Sequence, residues 1–430
     1  MIELPDGRIA AFWNSHGSVA PRYKITTSAG DITSFGAQRL LVGSGLENDK
    51  STYMTVMRLR GNANPYTVFT RRQSDHRWVM TTSKDLVRWT PAVALFSIAL
   101  TDSIPYPKFV TTGWRTVHIA VSNTTANGSI QPSSMFHMYL KDGVFRQSDG
   151  SAIRTLAEVA GTSSGEPRPI DPVEGTQIYD GRSADGEARV YDIALTSTGQ
   201  PTIVLNTGGP EGPWTDKWFQ RRSGTWVQRT LVRMATTPWG ITMRHDDPAR
   251  AFLSRDVLES GTRELEEYRT TDGGETWTRR ELTSNTTPGG NRTPATPWGA
   301  QDGPVSVAWL RGPYTTFNKG QWDTSVTLET TGPAPVSMSS SWPWNWDEGA
   351  GVSAQVTRGV GGSGISGLTI TLRVRKPGET EKWIRSRVTD MDGRASFPVN
   401  RYYPKGTLVR LYKATTTNFG LAVSPSHRTT

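Results

Sequence analysis

The 430-residue chain contains no cysteine. Disulfides, thiolate metal sites and cysteine nucleophiles are therefore excluded. No run approaches the ~18 consecutive apolar residues of a spanning helix, so no membrane insertion is expected. The opening, MIELPDGRIAAFW, has neither the basic start nor the apolar core of a secretory leader, and no export signal is expected there. Phosphate-binding and dinucleotide fingerprints and serine-hydrolase motifs are also missing. The Gly-rich stretch GVGGSGISG at 359–367 is followed by no Lys-Ser/Thr pair and reads as a flexible loop. Long amphipathic helices are missing as well. Residues 252–268 come nearest, but Gly261 and Thr262 interrupt the pattern, and ELEEYRT reads equally well as a strand.

What the chain does have is 16 Trp, 43 Gly and 27 Pro, with abundant Thr and Val. That composition points to short strands joined by tight turns. Apolar and polar residues alternate in GRIAAFW at 7–13, RVYDIAL at 189–195, TIVLN at 202–206 and VSVAWL at 305–310. A loose repeat runs through the first 330 residues. Five units share a polar turn, an aromatic and a short strand, and their aromatics are Phe35, Trp89, Phe145, Trp226 and Trp277. The spacing is that of four-stranded propeller blades of about 40–50 residues with insertions. A sixth unit, 291–329, lacks the turn.

The fifth turn is a full Asp-box: Thr271, Asp272, Gly273, Gly274, Thr276 and Trp277. Asp accepts backbone N–H bonds across the hairpin, the glycines permit positive φ, and Trp packs between blades. Its role is read as structural. TTSKDLVRW at 81–89 is a degenerate copy.

After Thr330 the texture changes. Residues 331–351 are Pro-, Ser- and Trp-rich and read as a linker. Residues 352–430 carry a second strand pattern, expected to form a small immunoglobulin-like β-sandwich. Residues 335–430 hold 13 Lys/Arg against 6 Asp/Glu, most of the chain's net charge of +9. The excess marks either a docking face for an anionic partner or a solvated surface. No nucleic-acid partner is expected.

The runs LPDGRIAAFWNSHGSVAPRYKITTSAGDITSFG at 4–36, YPKFV at 106–110, FHMYLKDGVFRQSDG at 136–150, WGITMRHDDPARAFLSR at 239–255, YRTTDGGETW at 268–277 and VAWLRGPYT at 307–315 resemble the BNR-repeat (Asp-box) β-propellers. That family includes polysaccharide lyases. The resemblance covers about 1–330 and implies a propeller, usually of seven blades, with a polysaccharide at its axial funnel. Two features depart from the family. Only about six units are visible, and VSNTTANG at 121–128 stands where the family often carries a His-Pro pair.

A uronate lyase neutralises a carboxylate, removes the neighbouring proton and protonates the leaving oxygen, work for Arg, His and Tyr. His16 matches the family's Ser-His-Gly turn and is a catalytic or ligand candidate; alternatively it is a turn histidine bonding local backbone. Tyr106, acid or stacking platform, and Arg311, a carboxylate clamp at a strand end, complete the candidate catalytic set. Tyr53 opens a similar strand. Ligand candidates are His137, Arg244, His245, Arg292, Trp309 and Tyr314, each with a packing or turn role as the alternative. The Arg244–Asp247 run also offers carboxylates to a divalent cation such as calcium near the axis. No other cofactor is expected.

The sequence thus reads as all-β: a six- or seven-bladed propeller at 1–330, a linker at 331–351 and a basic sandwich at 352–430. The expected function is recognition of a cell-surface polysaccharide by a bacteriophage tail protein, with other virion tail proteins as partners and homo-oligomerisation left open. A secreted polysaccharide lyase and a bacterial surface adhesin are the alternatives.

Overall fold

The computed structural model describes residues 1–14, 17, 19–97, 103–125, 133–163, 165–208, 214–234, 240–256, 263–284, 290–297, 305–312, 325–330, 336–341, 351–358, 368–375, 377, 382–390, 394–398, 408–413, 422–423 and 427–428. Two compact units divide the chain, 1–299 with 309–327, and 300–308 with 328–430.

Six antiparallel sheets follow one another along the first 330 residues. Sheet 1 holds β1 (Ile2–Glu3), β2 (Ile9–Trp13), β3 (Arg22–Ile25) and β4 (Arg39–Leu40). Sheet 2 holds β5 (Ser51–Arg58), β6 (Tyr66–Arg72), β7 (Trp78–Ser83) and β8 (Val93–Ala94). Sheet 3 holds β9 (Ser103–Thr111), β10 (Thr116–Thr125), β11 (Met135–Lys141), β12 (Val144–Gln147) and β13 (Ala152–Thr155), with β14 (Thr176–Tyr179) paired to β11. Sheet 4 holds β15 (Glu187–Leu195), β16 (Pro201–Gly208), β17 (Trp214–Arg222) and β18 (Thr225–Met234). Sheet 5 holds β19 (Ile241–Arg244), β20 (Asp247–Asp256), β21 (Arg263–Arg269) and β22 (Thr278–Glu281). Sheet 6 holds β23 (Asn291–Ala295), β24 (Val305–Arg311) and β25 (Ser325–Thr330). The arrangement is a six-bladed β-propeller, which decides between the two blade numbers read from the sequence. The first strand of each sheet is the inner one, and β9, β15, β19 and β23 are successive neighbours. Within 252–268, the residues up to Asp256 belong to β20 and those from Arg263 to β21.

Propeller sheets are covered on both faces, and the period of two splits each strand between two cores. In β16 all eight residues are buried. Ile203 and Leu205 join the core shared with sheet 3, whereas Val204 joins the core shared with sheet 5. In β17, Phe219 and Trp218 divide the same way. TIVLN, expected from the sequence as an alternating strand, is therefore buried along its whole length.

The repeated turns occupy one place in the architecture, the connection from the third to the fourth strand of sheets 1 to 5. In the Asp-box, Asp272 accepts from Thr276 N at 3.0 Å and from the Thr270 hydroxyl at 2.8 Å. The Thr276 side chain, then its backbone N–H, then Thr270 hold the Asp272 carboxyl below its usual range. Gly273 and Gly274 have φ of +79° and +88°, a region costly for residues with a Cβ. The degenerate copy keeps the mechanism: Asp85 accepts from Val87 N at 2.8 Å and Arg88 N at 3.2 Å. In sheets 2 to 5 the aromatic after the turn packs on the preceding sheet. Trp89 meets Tyr23 of sheet 1 at 6.2 Å between centroids. Phe145 enters the core shared with sheet 2. Trp226 packs with sheet 3, and Trp277 lies edge-on to Trp218 of sheet 4 at 5.8 Å.

The second unit carries two antiparallel sheets. One joins Val336–Ser341, Gly351–Arg358 and Arg394–Pro398; the other joins Lys382–Val388, Thr369–Arg375, Leu408–Lys413, Ala422–Val423 and His427–Arg428. Leu368, Ile370, Leu372, Ala395, Phe397 and Leu411 are buried apolar residues on or beside these strands. The stretch expected as linker contains a strand, Val336–Ser341, because its alternating residues pair with Gly351–Arg358.

Trp89 is 4% exposed at the sheet 1–sheet 2 boundary, so Trp89→Ala is expected to destabilise the propeller by about 3–5 kcal/mol. Denaturant unfolding checks this, and a loss below about 1 kcal/mol would contradict the packing role. A second expectation concerns Asp216, which faces Asn206 across β16 and β17; both are fully buried and neither side chain has a hydrogen-bond partner among the described residues. Burial pushes the Asp216 carboxyl well above its usual range. A raised carboxyl favours folding at acid pH and opposes it as pH climbs above the unfolded value near 4 toward the folded one. Asp216→Asn should therefore raise the melting temperature at pH 8 more than at pH 5; an equal effect at both would refute the assignment.

Candidate functional site

The site grows from a fault in one strand. Thr52 pairs with Arg71 and Thr55 with Phe69, so an extra residue bulges from β5 at Tyr53–Met54. Tyr53 adopts φ +54°, uncommon for a bulky residue and a frequent mark of a functional position. Bulges re-aim side chains. Here the Tyr53 ring stays 42% exposed while resting on Trp78, with centroids 6.1 Å apart and nearly parallel planes. Trp78 is fixed by its Nε1, which donates to Pro105 O at 2.7 Å and thereby ties sheet 2 to β9 beside Tyr106.

Arg71 fills the angle between the two tyrosines. Its guanidinium carbon lies 4.9 Å from the Tyr53 ring centroid and 5.4 Å from that of Tyr106. Nη1 donates to the Tyr106 hydroxyl at 3.0 Å. Arg71 is 5% exposed and its Nε has no partner. No carboxylate among the described residues reaches it. The neighbouring Arg72, on the opposite face of β6, takes the nearby acids: Nε donates to Asp75 at 2.9 Å and lies 3.8 Å from Asp49. Two rings supply Arg71 with cation–π attraction, but a buried guanidinium lacks here the bidentate carboxylate that matches its fork. Burial raises the Tyr53 phenol, and Tyr106 beside it adds to the shift while Arg71 opposes it. Asn14 closes one side, donating to Ser51 Oγ at 3.1 Å and Thr70 Oγ1 at 3.3 Å. Gly17 donates to Ser51 O at 3.2 Å, two residues from Tyr53.

The structure thus brings Tyr53 and Tyr106 together, and adds Arg71. His16 and Tyr314 lie outside the described residues, although Gly17, next to His16, is anchored at this site. The other candidates stand elsewhere. Arg311 is exposed at the end of β24. Arg292 is half-buried on β23, close enough to Arg263 for their charges to interact. Trp309 is buried and donates Nε1 to Asn291 Oδ1 at 2.8 Å. Arg244 is closed in a fork on Asp246, with Nε and Nη2 at 2.6 and 2.8 Å from the two carboxylate oxygens. His245 Nε2 is 3.2 Å from Asp192, which also accepts from Thr242 Oγ1 at 2.7 Å and Met243 N at 3.0 Å. Burial alone would raise the Asp192 carboxyl; His245 and these donors outweigh it and hold it below its usual range. Among the described residues no group of three His, Asp or Glu is placed to hold a metal ion.

His137 belongs to a buried chain between sheets 3 and 4. Its Nε2 is 3.2 Å from His118 Nδ1, its Nδ1 is 2.8 Å from Ser148 Oγ, and Trp226 Nε1 donates to the same oxygen at 3.0 Å. Burial, then the charge of Arg221, lowers the His118 imidazole to about 4; burial, then His118 and Arg221, lowers His137 well below its usual value.

Arg71 carried no motif. The signal was present only as the Arg-Arg pair at 71–72 followed by a single nearby acid, Asp75, which left one arginine unsatisfied.

No protein-family model and no curated protein sequence matches the chain. Among solved structures it is similar to a post-proline cleaving enzyme from Rickettsia typhi, at 9% identity over 96% of this chain and 57% of that one, TM-score 0.41. It is also similar to an α-L-arabinofuranosidase of Fusarium graminearum bound to arabinobiose, at 14% identity over 72% and 86%, TM-score 0.41. A third is the Trypanosoma rangeli sialidase with the inhibitor DANA, at 10% identity over 81% and 58%, TM-score 0.40. The chain spans less than two thirds of the first and third of these proteins.

The histidine pair gives a pH expectation. A histidine held neutral in the fold stabilises above its unfolded value, 6.5, and the contribution is lost as pH falls toward about 4. The melting temperature should drop across that window, less steeply in His118→Gln; identical slopes would rule out the pair as the cause.

Proposed function

We propose that the propeller recognises an acidic polysaccharide, with a sugar carboxylate on Arg71, a ring face against Tyr53 and a hydroxyl on Tyr106. The observation that carries this reading is the buried guanidinium held between two tyrosines with no carboxylate from the described residues. A charged donor with an unmet hydrogen-bond direction, beside an exposed aromatic ring, is what a uronate needs: a fork for the acid and an apolar face for the ring. Recognition stands ahead of cleavage, because among the described residues no carboxylate or imidazole touches Arg71 or Tyr106 to take the proton that β-elimination removes. The appended basic β unit suits attachment to a larger assembly, and a bacteriophage tail is the setting we propose. Peptides of this chain in purified virions would support that setting, and their absence would overturn it.

Arg71→Met is expected to weaken binding to uronate-containing oligosaccharides at least about tenfold, the scale of a lost charge-assisted hydrogen bond. Binding to neutral oligosaccharides should change little, and wild-type affinity should fall with added salt. Calorimetry on a glycan panel checks this; equal affinity of wild type and variant would sink the proposal. The same incubations, followed in the ultraviolet band of unsaturated uronates, read out cleavage. A rising signal lost in Tyr106→Phe would make Tyr106 the acid of a lyase.

A further inference from the structure

Trp114 is 58% exposed, the largest apolar side chain left open to solvent among the described residues. It stands in the turn after β9, whereas Tyr106 stands near the start of that strand. The strand between Tyr106 and Thr111 is about 17 Å long. Trp114 therefore lies at the other end of the blade from Arg71 and its two tyrosines.

The ring is held in place rather than loose. Arg60 N donates to Gly113 O at 3.1 Å and Gly61 N to Trp114 O at 3.3 Å, which ties the turn after β9 to the turn after β5. Arg115 Nε donates to Gly61 O at 2.8 Å, and its Nη1 to Asp142 Oδ1 in the turn after β11 at 3.3 Å. Three turns from two sheets are thus fastened together around one indole. Gly61 is a requirement of this arrangement: a Cβ there would meet Arg115 Cγ at 2.5 Å and Trp114 Cε2 at 3.0 Å. The indole consequently lies against the Gly61 backbone, with more than half of it open to water. No described residue accepts from its Nε1.

Such a fixed, open aromatic loses little freedom when something covers it. The exposed residues beside it in these turns, Arg60, Asn62, Arg115 and Asp142, are polar. A protein partner needs about 800 Å² on each side with an apolar centre, far more than one indole provides. A single pyranose ring fits: its C–H face covers the indole, and its hydroxyls meet the indole Nε1 and the Arg115–Asp142 pair. That pair is internally neutralised, so the sugar need not carry a charge. We infer that Trp114, Arg115 and Asp142 form a second carbohydrate site, for an uncharged pyranose, away from the propeller axis and independent of the Arg71 site.

The test titrates cellohexaose, maltohexaose and mannohexaose into the full chain as wild type, Trp114→Ala, Trp114→Phe, Gly61→Ala and Arg71→Met, with thermal melts to verify folding. Wild type is expected to bind at least one of these neutral chains, with an affinity that added salt leaves unchanged. Trp114→Ala should weaken that binding at least about tenfold, the scale of a central tryptophan in an interface. Trp114→Phe should weaken it less, Gly61→Ala should weaken it by displacing the ring, and Arg71→Met should leave it unchanged. No binding of any of the three by wild type, or equal binding by Trp114→Ala, overturns the site. Loss in Arg71→Met with none in Trp114→Ala also overturns it, because the neutral chain then sits at the Arg71 site.

Discussion

The structure depends on how each blade covers the next. A four-stranded sheet with two apolar faces is unstable alone, and in this chain each sheet boundary from the first to the fifth is a separate apolar core built from two neighbours. The aromatic residue after the turn in sheets 2 to 5 is the recurrent part of that contact. Asp-box geometry fixes its place: a carboxylate gathering backbone and hydroxyl donors sets the turn, and the turn delivers Trp89 or Trp277 onto the sheet before it. Burial on this scale, about 25 cal/mol per Å² of apolar surface, outweighs the modest net value of the hydrogen bonds in the turn.

Because the blades are fixed by their outer turns and shared cores, the inner strands can carry residues that do not favour the fold. Tyr53 at positive φ and Arg71, buried with no carboxylate among the described residues, lie on or beside the inner strand of sheet 2. Such departures from local consistency cluster where a protein acts. The polar groups of sheets 4 and 5 near the axis differ in kind. The Arg244–Asp246 fork and the donors around Asp192 satisfy one another and offer a ligand less.

Much of the fold was legible. Residue spacing located the turns at Phe35, Trp89, Phe145, Trp226 and Trp277, and all five fall at the same structural position. The alternation at 202–206 and 305–310 marked strands that the structure contains. The site was legible in part. Tyr53 and Tyr106 stand out at strand starts, but the bulge that turns Tyr53 toward Arg71 depends on a register slip between β5 and β6, which no local pattern encodes. The sequence offers His137 either as a ligand facing the funnel or as a satisfied core histidine; in the fold it is enclosed by Ser148, His118 and Trp226 from other strands.

Taken alone, the sequence determined the fold class, the unit length, the turn chemistry and the absence of thiol chemistry. These follow from short-range rules: the period of two, the φ allowed to glycine, and the donors an Asp side chain can reach within four residues. Tertiary structure decided the number of blades, which charges are paired and which are left over. Pairing is a competition among residues distant in the chain. Asp75 and Asp49 go to Arg72, so among the described residues no carboxylate is left for Arg71.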